Sequence, residues 1–286
     1  MFEILESYMI VPNMHLLTIS APNVIQEMQP GQFIILRAEE NGERIPLSVA
    51  DWDVESGTVT TIFMNVGRST DTLASLEAGM KIPTVVGPLG TPTEIDKFGT
   101  VLCLGGCYGI GSIYPIIKAL KKKKNDIIAV IEARSSYLLY WEEKLKEAAD
   151  KIFYITRDGT RGLKGHVNRL NEIIKAEKPP VDRVIINGCT YLLRKGSEVT
   201  GISGIKTIVS LNPIMIDGTG MCGVCRVSVD ETTKFACVDG PDFDGHLVDW
   251  DELLQRRYQY FEEEIIPLQS SRCEEHAIKH KGRGNA

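Results

Sequence analysis

The stretch Thr100–Gly111, TVLCLGGCYGIG, gives the clearest indication of the fold class. It is an apolar run that ends in four glycines and leads directly into SIYPIIKALKKKK, which has helical character. Further apolar runs, DIIAVIEA, KIFYIT, RVIING and KTIVSLN, follow with the helical stretches YWEEKLKEAA and VNRLNEIIKAE among them. Strands that alternate with helices indicate βαβ units and a parallel sheet. The sequence therefore predicts a doubly wound parallel α/β domain over residues 99–212.

Upstream of this domain, residues 1–98 show a different pattern. Short candidate strands, FEILESYMI, HLLTIS, GQFIILRA, RIPLSVADWD and GTVTTIFMNV, are separated by turn signals such as Asn41-Gly42. A single helix, capped by Ser69 or Thr70 and ended by Gly79, interrupts them. This spacing is typical of a small antiparallel β-barrel or sandwich.

Downstream, residues 213–260 have little periodicity but hold three of the seven cysteines. We expect a small module that is organised by a ligand, because so short a segment buries little apolar surface. The amphipathic stretch DELLQRRYQYFEEEI leads into a basic tail, and residues 261–286 are assigned to that tail.

Composition narrows the class of protein. With 43% hydrophobic and 24% charged residues, the 286-residue chain has the composition of a globular protein. The net charge of −6 and the scattered basic residues argue against nucleic acid as a partner. No apolar run approaches the roughly 18 residues of a membrane span. The N-terminus lacks the features of a secretion signal, so we expect a cytoplasmic protein whose cysteines serve metal or redox chemistry.

The strongest local signal is the spacing Asp217-x4-Cys222-x2-Cys225-x11-Cys237. Plant-type [2Fe–2S] sites have C-x4-C-x2-C and a distant fourth cysteine, and here Asp217 stands where the first cysteine would be. Nearby glycines leave room for the backbone to curl around sulfide. The spacing favours a [2Fe–2S] cluster with three thiolate ligands and one carboxylate.

Three alternatives remain open at this site. The same cysteines could hold structural zinc together with His246 or a carboxylate. They could also be free and merely buried. Finally, Cys273 in the tail could replace Asp217 as a ligand.

The glycine-rich turn after the first strand of the α/β domain is a candidate nucleotide site. Its glycines let the main chain approach a pyrophosphate, and the following helix N-terminus offers N–H donors. The spacing departs from G-x-G-x-x-G, so a tight turn without a ligand is the alternative. At the end of the next strand, Glu132 could accept from the ribose 2′-OH of NAD, whereas Arg134 and Ser135 could hold the 2′-phosphate of NADP.

Two segments of the first domain could bind a flavin pyrophosphate. RIPLS, residues 44–48, places an arginine on a strand, and GRST, residues 67–70, opens the helix. Both would offer donors to phosphate oxygens. Surface arginines and an N-cap serine explain the same segments without any ligand.

The order of these features, a barrel, then GGCYGIG, then a cysteine loop, resembles the ferredoxin reductase-like flavoproteins. Within them the chain is similar to electron-transfer subunits such as that of dihydroorotate dehydrogenase. The stretches SLNPIMIDGTGMCGVCRVSV and KFACVDGPDFDGHLVD narrow the resemblance to the small subunits of NADH-dependent reduced ferredoxin:NADP⁺ oxidoreductases. The resemblance covers about residues 1–260.

The resemblance implies FAD on the barrel, NAD(H) on the second domain, and a [2Fe–2S] cluster that faces a larger flavoprotein subunit with its own FAD and [4Fe–4S] clusters. It assigns FAD to Arg44, Pro46, Leu47, Ser48, Phe63, Met64, Asn65, Gly67, Arg68, Ser69 and Thr70. It assigns the nicotinamide nucleotide to Gly105, Gly106, Gly109 and Gly111, with the segment around Asp158 nearby. Cys107 and Cys189 stand where contact with this nucleotide is expected.

Two departures from the family pattern matter. Many relatives have Cys-Gly-Pro beside the nicotinamide, and this chain has Asn187-Gly188-Cys189. Dihydroorotate-type subunits have a fourth cluster cysteine, and this chain has Asp217, which argues against that branch.

The resemblance implies an enzyme subunit that exchanges hydride between NADH and FAD. Single electrons would pass through the cluster to the larger subunit and on to ferredoxin, in flavin-based electron bifurcation. No side chain is expected to act as acid or base. One alternative is the electron-transfer subunit of a dihydroorotate or sulfide dehydrogenase. Another is a zinc-held, nucleotide-binding redox regulator that turns nothing over.

Overall fold

A computed structural model describes residues 1–260, which contain sixteen strands and seven α-helices. The first seven strands form one antiparallel sheet that is nearly closed into a barrel, in the order β6-β1-β2-β5-β4-β3-β7. Their bounds are β1 Phe2–Val11, β2 Met14–Ser20, β3 Phe33–Arg37, β4 Ile45–Asp53, β5 Thr58–Met64, β6 Lys81–Ile82 and β7 Thr84–Leu89. The predicted antiparallel barrel is thereby confirmed.

The barrel core is filled by aliphatic side chains such as Leu17, Ile19, Ile34 and Val59, all fully buried. Helix α1 (Pro22–Ile25) and helix α2 (Arg68–Ala74) lie between barrel strands. The predicted cap of α2, Ser69 or Thr70, was wrong by two or three residues, because the N-cap is Gly67. The Thr70 hydroxyl lies inside the helix and accepts from the backbone N–H groups of Val66 and Gly67 at 2.9 and 3.0 Å.

The second sheet has the order β11-β10-β9-β8-β12-β13-β16, and its neighbours are parallel except for β16. Its strands are β8 Thr100–Gly106, β9 Asp126–Ala133, β10 Lys151–Thr156, β11 Leu163–Lys164, β12 Arg183–Asn187, β13 Thr207–Ser210 and β16 Asp242–Asp244. Its helices are α3 Gly109–Lys122, α4 Glu142–Ala148, α5 Leu170–Ala176 and α6 Thr190–Gly201. Every residue of β8 is buried, as expected for a central parallel strand. The predicted doubly wound domain is confirmed.

The C-terminal segment contains a small hairpin, β14 Arg226–Val229 and β15 Thr232–Phe235, followed by β16 and by helix α7, Trp250–Arg257. Strand β16 pairs antiparallel with β13, so this segment completes the second sheet. The division at residue 212 therefore separates two stretches that share a sheet, and the domain boundaries stay a prediction. The carboxylate of Asp249 caps α7 by accepting from two backbone N–H groups.

The topology places three turns at one edge of the second sheet. Because β8, β9 and β12 are parallel, their carboxyl ends lie side by side, and the strand order reverses next to β8. This edge is where open α/β sheets bind ligands. Within residues 1–260, no helix is both long enough and apolar enough to cross a membrane.

Candidate functional site

The four predicted cluster ligands come together as two pairs. The thiol of Cys222 lies 3.3 Å from a carboxylate oxygen of Asp217, and the sulfurs of Cys225 and Cys237 lie 3.1 Å apart. Cys225 and Cys237 are buried, whereas Cys222 is exposed. Asp217 is close enough to Cys237 to raise the pKa of its thiol. Asp217, Cys222 and Cys225 lie in the segment before β14, residues 217–225, which we call the cysteine loop, and Cys237 follows β15.

Left-handed backbone allows the loop to curl in this way. Gly218 has φ +74°, and Gly220 has φ +82°. A Cβ atom on Gly220 would lie 2.7 Å from a methyl group of Val238, which is too close for an unstrained contact. A side chain at either position would open the loop, because residues with a Cβ rarely adopt this conformation.

The surroundings of Asp217 and Cys237 shift the pKa values of these two predicted ligands in opposite directions. Burial opposes ionisation of Asp217, but hydrogen bonds from Thr219 and Cys222 outweigh it and hold the pKa of Asp217 below its usual value. Burial and the neighbouring Cys225 thiol raise the pKa of Cys237 to about 12. A buried thiol of this kind becomes a thiolate on binding a metal.

The number and kind of these ligands match what a two-iron cluster requires. Within residues 1–260, no group of three or more His, Cys, Asp or Glu side chains is arranged so that it could hold a metal ion. A [2Fe–2S] cluster has four protein ligands, two on each iron, and two adjacent pairs match that requirement. His246, the alternative zinc ligand, instead contacts Thr200 at 3.1 Å and Asp244 at 3.7 Å. Cys273 lies outside the described residues.

The glycine-rich turn is packed against the protein itself. A Cβ atom on Gly109 would overlap the carbonyl of Asn187, and one on Gly106 would lie 2.6 Å from Leu192. These glycines are therefore required by the close approach of β8, α3 and the β12–α6 turn, with or without a nucleotide. Cys107 has φ +57°, and burial raises the pKa of its thiol.

A hydrogen-bond network that sequence patterns did not indicate joins this turn to helix α7. Asn212 donates to the Tyr108 hydroxyl at 2.5 Å and to the Gly188 carbonyl at 3.1 Å. Arg257, at the end of α7, donates to the Asn212 side-chain oxygen at 2.7 Å and also to Thr190. Asn212 soon follows a parallel strand, where functional residues collect, and this was the one available signal. Nothing local marks Arg257.

Glu132, a predicted ribose-binding residue, lies at the end of β9. Its side chain is buried, and one carboxylate oxygen lacks a hydrogen-bond partner in the described chain. The other oxygen lies 3.5 Å from Nδ1 of His166. Burial raises the pKa of Glu132 to about 7, although Arg157 acts in the opposite direction. An orphaned buried oxygen at a strand end fits a site that receives a hydroxyl donor.

The remaining predicted nucleotide residues form the rim of the same edge. Arg134 is exposed and Ser135 is buried at the end of β9. Asp158 accepts from the backbone N–H and hydroxyl of Thr160 at 3.0 and 2.7 Å, and hydrogen bonds from Ser135 and Thr160 lower its pKa to about 2. Asp158 therefore shapes its own turn. Cys189 is half-buried at the N-cap of α6, near enough to Cys107 to influence its pKa.

The predicted flavin residues line one end of the barrel. Because β4 and β5 are antiparallel, the start of β4 and the end of β5 lie at the same edge. Arg44, Ser48 and Arg68 are exposed there, Phe63 is buried, and the others are half-buried, namely Pro46, Leu47, Met64, Asn65, Gly67, Ser69 and Thr70. No atom lies within 4 Å of the position of a Cβ on Gly67. Exposed guanidinium groups beside open space fit a bound pyrophosphate.

The glycine-rich nucleotide turn, residues 105–111, and the cysteine loop both contact this barrel. The Cys107 sulfur lies 3.7 Å from that of Met64, and a Cβ on Gly111 would lie 2.9 Å from Ile62. On the other side, a Cβ on Gly218 would overlap Ile35, which pairs with Pro46 across β3 and β4. The nucleotide turn and the cysteine loop thus contact the same sheet.

Comparison with known proteins agrees with this arrangement. The model of the iron-sulfur cluster binding domain of dihydroorotate dehydrogenase B matches residues 212–249. The chain is 42% identical to a chain in the structure of the NADH-dependent reduced ferredoxin-NADP oxidoreductase, with a TM-score of 0.89 over 94% of this chain and 96% of that one. Ferredoxin reductase in carbazole 1,9a-dioxygenase shares the fold at 15% identity, with a TM-score of 0.59 over 71% of this chain and 65% of that one.

Among curated proteins, the Thermotoga maritima dihydroorotate dehydrogenase B (NAD(+)) electron transfer subunit homolog is 43% identical, over 92% of this chain and 93% of its own length. An uncharacterized protein of Clostridium beijerinckii is 41% identical over 92% of both chains. The Bacillus cereus electron transfer subunit is 30% identical over 82% of this chain and 92% of its own. This chain belongs to the family of dihydroorotate dehydrogenase B electron-transfer subunits and their homologues, oxidoreductase subunits with a ferredoxin reductase-like fold.

Proposed function

We propose that this chain is a flavin- and iron–sulfur-containing electron-transfer subunit. It exchanges hydride between NAD(H) and FAD and passes single electrons through a [2Fe–2S] cluster to a larger subunit. FAD, when bound, supplies the conversion between two-electron and one-electron chemistry. The chain's own residues bind, orient and separate the three groups.

One observation carries this proposal. The nucleotide turn reaches β5 through Cys107 and Met64, and the cysteine loop reaches β3 through Gly218 and Ile35. The predicted flavin strand β4 lies between β3 and β5. A flavin held by β4 would therefore have the nicotinamide site on one side and the cluster site on the other, in the order that electron transfer requires.

The side chains of this site would bind and orient the cofactors and would not take part in acid or base chemistry. Arg44 and Arg68, which form no ion pair within the described residues, would bind the flavin pyrophosphate. The β8–α3 turn, anchored by Tyr108 and Asn212, would orient the nicotinamide. Alignment of this kind lowers the barrier to hydride transfer without an acid or base. Asp217, Cys222, Cys225 and Cys237 would hold the cluster.

The partner and the overall reaction belong to the same proposal. The relatives are subunits of larger complexes, and a solved relative comes from work on flavin-based electron bifurcation. We infer a heterodimer with a larger flavoprotein that contains FAD and [4Fe–4S] clusters and reacts with ferredoxin. Names of relatives also support a second candidate, the electron-transfer subunit of a dihydroorotate dehydrogenase. Asp217 favours the first, because the second uses a fourth cysteine.

The decisive experiment starts with the purified chain. We expect a flavin absorption band that bleaches on addition of NADH, and about two irons per chain. A colourless protein that contains zinc would contradict the proposal and would support the regulator. Purification of the natural complex, followed by assays with ferredoxin and with dihydroorotate, separates the two enzyme candidates.

A further inference from the structure

A surface pocket of about 130 Å³ lies between the cysteine loop and the end of α7. Three arginines line it: Arg226 at the start of β14, and Arg256 and Arg257 in the last turn of α7. Ile214 and Val224 contribute apolar surface. The pocket is separate from the flavin and nucleotide sites described above.

None of these three arginines is neutralised within residues 1–260. Their hydrogen bonds go to uncharged acceptors: the Gly223 carbonyl at 3.2 Å, the Val224 carbonyl at 3.0 Å, and the side chains of Asn212 and Thr190. A guanidinium has five N–H donors, so most of their donors are unused. Three like charges around one pocket repel one another until an anion enters.

The distribution of arginines across the chain strengthens this point. Of the twelve arginines in residues 1–260, five form ion pairs with carboxylates: Arg37, Arg161, Arg169, Arg183 and Arg194. Seven do not. Four of these seven, Arg44, Arg68, Arg134 and Arg157, lie at the predicted flavin and nucleotide sites, where phosphates would balance them. The other three are those that line this pocket.

The volume limits what can bind. The pocket volume is about 130 Å³, whereas pockets for drug-sized ligands and cofactors hold about 300–1,000 Å³. This size suits one carboxylate or phosphate group better than a whole nucleotide. Guanidinium groups bind both through paired N–H···O contacts.

We propose that Arg226, Arg256 and Arg257 form a binding site for a single oxyanion group, a carboxylate or a phosphate. The anion is either free in solution or carried by an acidic side chain of a bound protein. The site goes beyond the proposed electron transfer but connects to it. Arg256 holds the carbonyl of Val224, between two cluster cysteines, and Arg257 holds Asn212, which binds Tyr108 of the nucleotide turn. One anion would therefore contact arginines that are hydrogen-bonded to residues at both ends of the proposed electron path.

The test measures binding of inorganic phosphate to the full chain with its flavin and iron bound. Phosphate is titrated against the chain by ³¹P NMR line broadening at constant ionic strength set with chloride. We expect saturable binding that Arg226→Ala weakens about tenfold or more, because a charge-assisted pair contributes roughly 1.5–3 kcal/mol. Arg226→Lys should lose less phosphate affinity, since lysine keeps the positive charge but lacks the paired N–H donors of a guanidinium.

The control is Lys97→Ala, which removes an exposed cation from the loop between β7 and β8. It should leave phosphate affinity unchanged. Equal affinity of wild type and Arg226→Ala, or equal losses in Arg226→Ala and Lys97→Ala, would overturn the proposal. Flavin and iron content, measured on every variant, test the proposed electron transfer separately from the anion site.

Two further arms identify the source of the anion. The titration is repeated on the natural complex, purified through a tag on this chain. Loss of phosphate binding in the complex and its return after dissociation assign the site to a partner carboxylate, whereas unchanged binding assigns it to a free oxyanion. A variant with Glu262→Gln, Glu263→Gln and Glu264→Gln tests the chain's own carboxylates. Phosphate binding that is tenfold tighter in this variant would show that the chain's own glutamates compete for the site, and it would overturn the proposal of an external anion.

Discussion

Gly111→Ala is expected to slow hydride transfer without removing either cofactor. Gly111 lies in the first turn of α3, where the nucleotide turn meets the barrel. A Cβ atom there would lie 2.9 Å from Cδ1 of Ile62 and 3.2 Å from Cβ of Ala50. All three residues are buried, so the added methyl has no solvent to enter.

The magnitude follows from these distances. Cδ1 of Ile62 is the end of a flexible side chain and can give way in part, but Cβ of Ala50 cannot. Because non-bonded carbons prefer about 3.5–4.0 Å, α3 must move from Ala50 by roughly 0.5 Å. A displacement of about 1 Å at a reacting pair costs on the order of 100-fold in rate, and half of it about tenfold. Overpacking should also lower the free energy of unfolding by about 1–3 kcal/mol.

The assay is stopped-flow bleaching of the flavin band after mixing with NADH. The control is Gly201→Ala, whose Cβ would lie 3.6 Å from His246, an ordinary contact. Ile62→Val lacks Cδ1, so adding it to Gly111→Ala should restore part of the rate. A Gly111→Ala rate within twofold of wild type, or an equal loss of rate in Gly201→Ala, would contradict a displacement of α3 by the added methyl group.

Three further predictions concern the remaining parts of the site. Cys225→Ser and Cys237→Ser each break the buried thiol pair and should lower bound iron from about two per chain to near zero with flavin retained, as iron analysis and absorption spectra would check. Burial raises the pKa of Glu132 to about 7. The contribution of Glu132 to the free energy of unfolding is therefore fully present below the unfolded-state pKa of about 4.3 and is lost as the pH rises through 7. Denaturant unfolding should show wild type losing about 3 kcal/mol relative to Glu132→Gln between about pH 4 and 8, and parallel curves would contradict this. Asn212→Ala takes away a hydrogen bond of the buried Tyr108 hydroxyl, so chemical denaturation should show a loss of about 1–3 kcal/mol, and an unchanged midpoint would count against the network.

The fold was largely predictable because its signals are local. The fully buried β8 appears in the sequence as an uninterrupted apolar run, and the barrel strands appear as short runs between turns. Strand β16 escaped prediction, because three residues, Asp242–Asp244, carry too little pattern and are strand only through pairing with β13. The start of α2 was misplaced for a related reason. Thr70 is a good capping residue, and its hydroxyl does bind the end of the helix, but from inside it.

The candidate site divides in the same way. The spacing of Asp217, Cys222, Cys225 and Cys237 indicated their association, since a short glycine-containing loop brings near neighbours together. The burial of Glu132 was not predictable, because the sequence does not show how closely a residue at a strand end is packed. This burial depends on packing beside His166, thirty-four positions away in the sequence.

Local sequence patterns were enough to predict the barrel and the doubly wound sheet and to propose the cluster ligands, because hydrophobic period, turn residues and ligand spacing all act over short stretches of chain. The folded structure alone shows that the nucleotide turn and the cysteine loop meet the same barrel, that Asn212 and Arg257 support Tyr108, and that three arginines without an ion pair in residues 1–260 surround one pocket. These features join residues far apart in the chain. Their contacts arise from packing between whole elements, for which no local pattern exists.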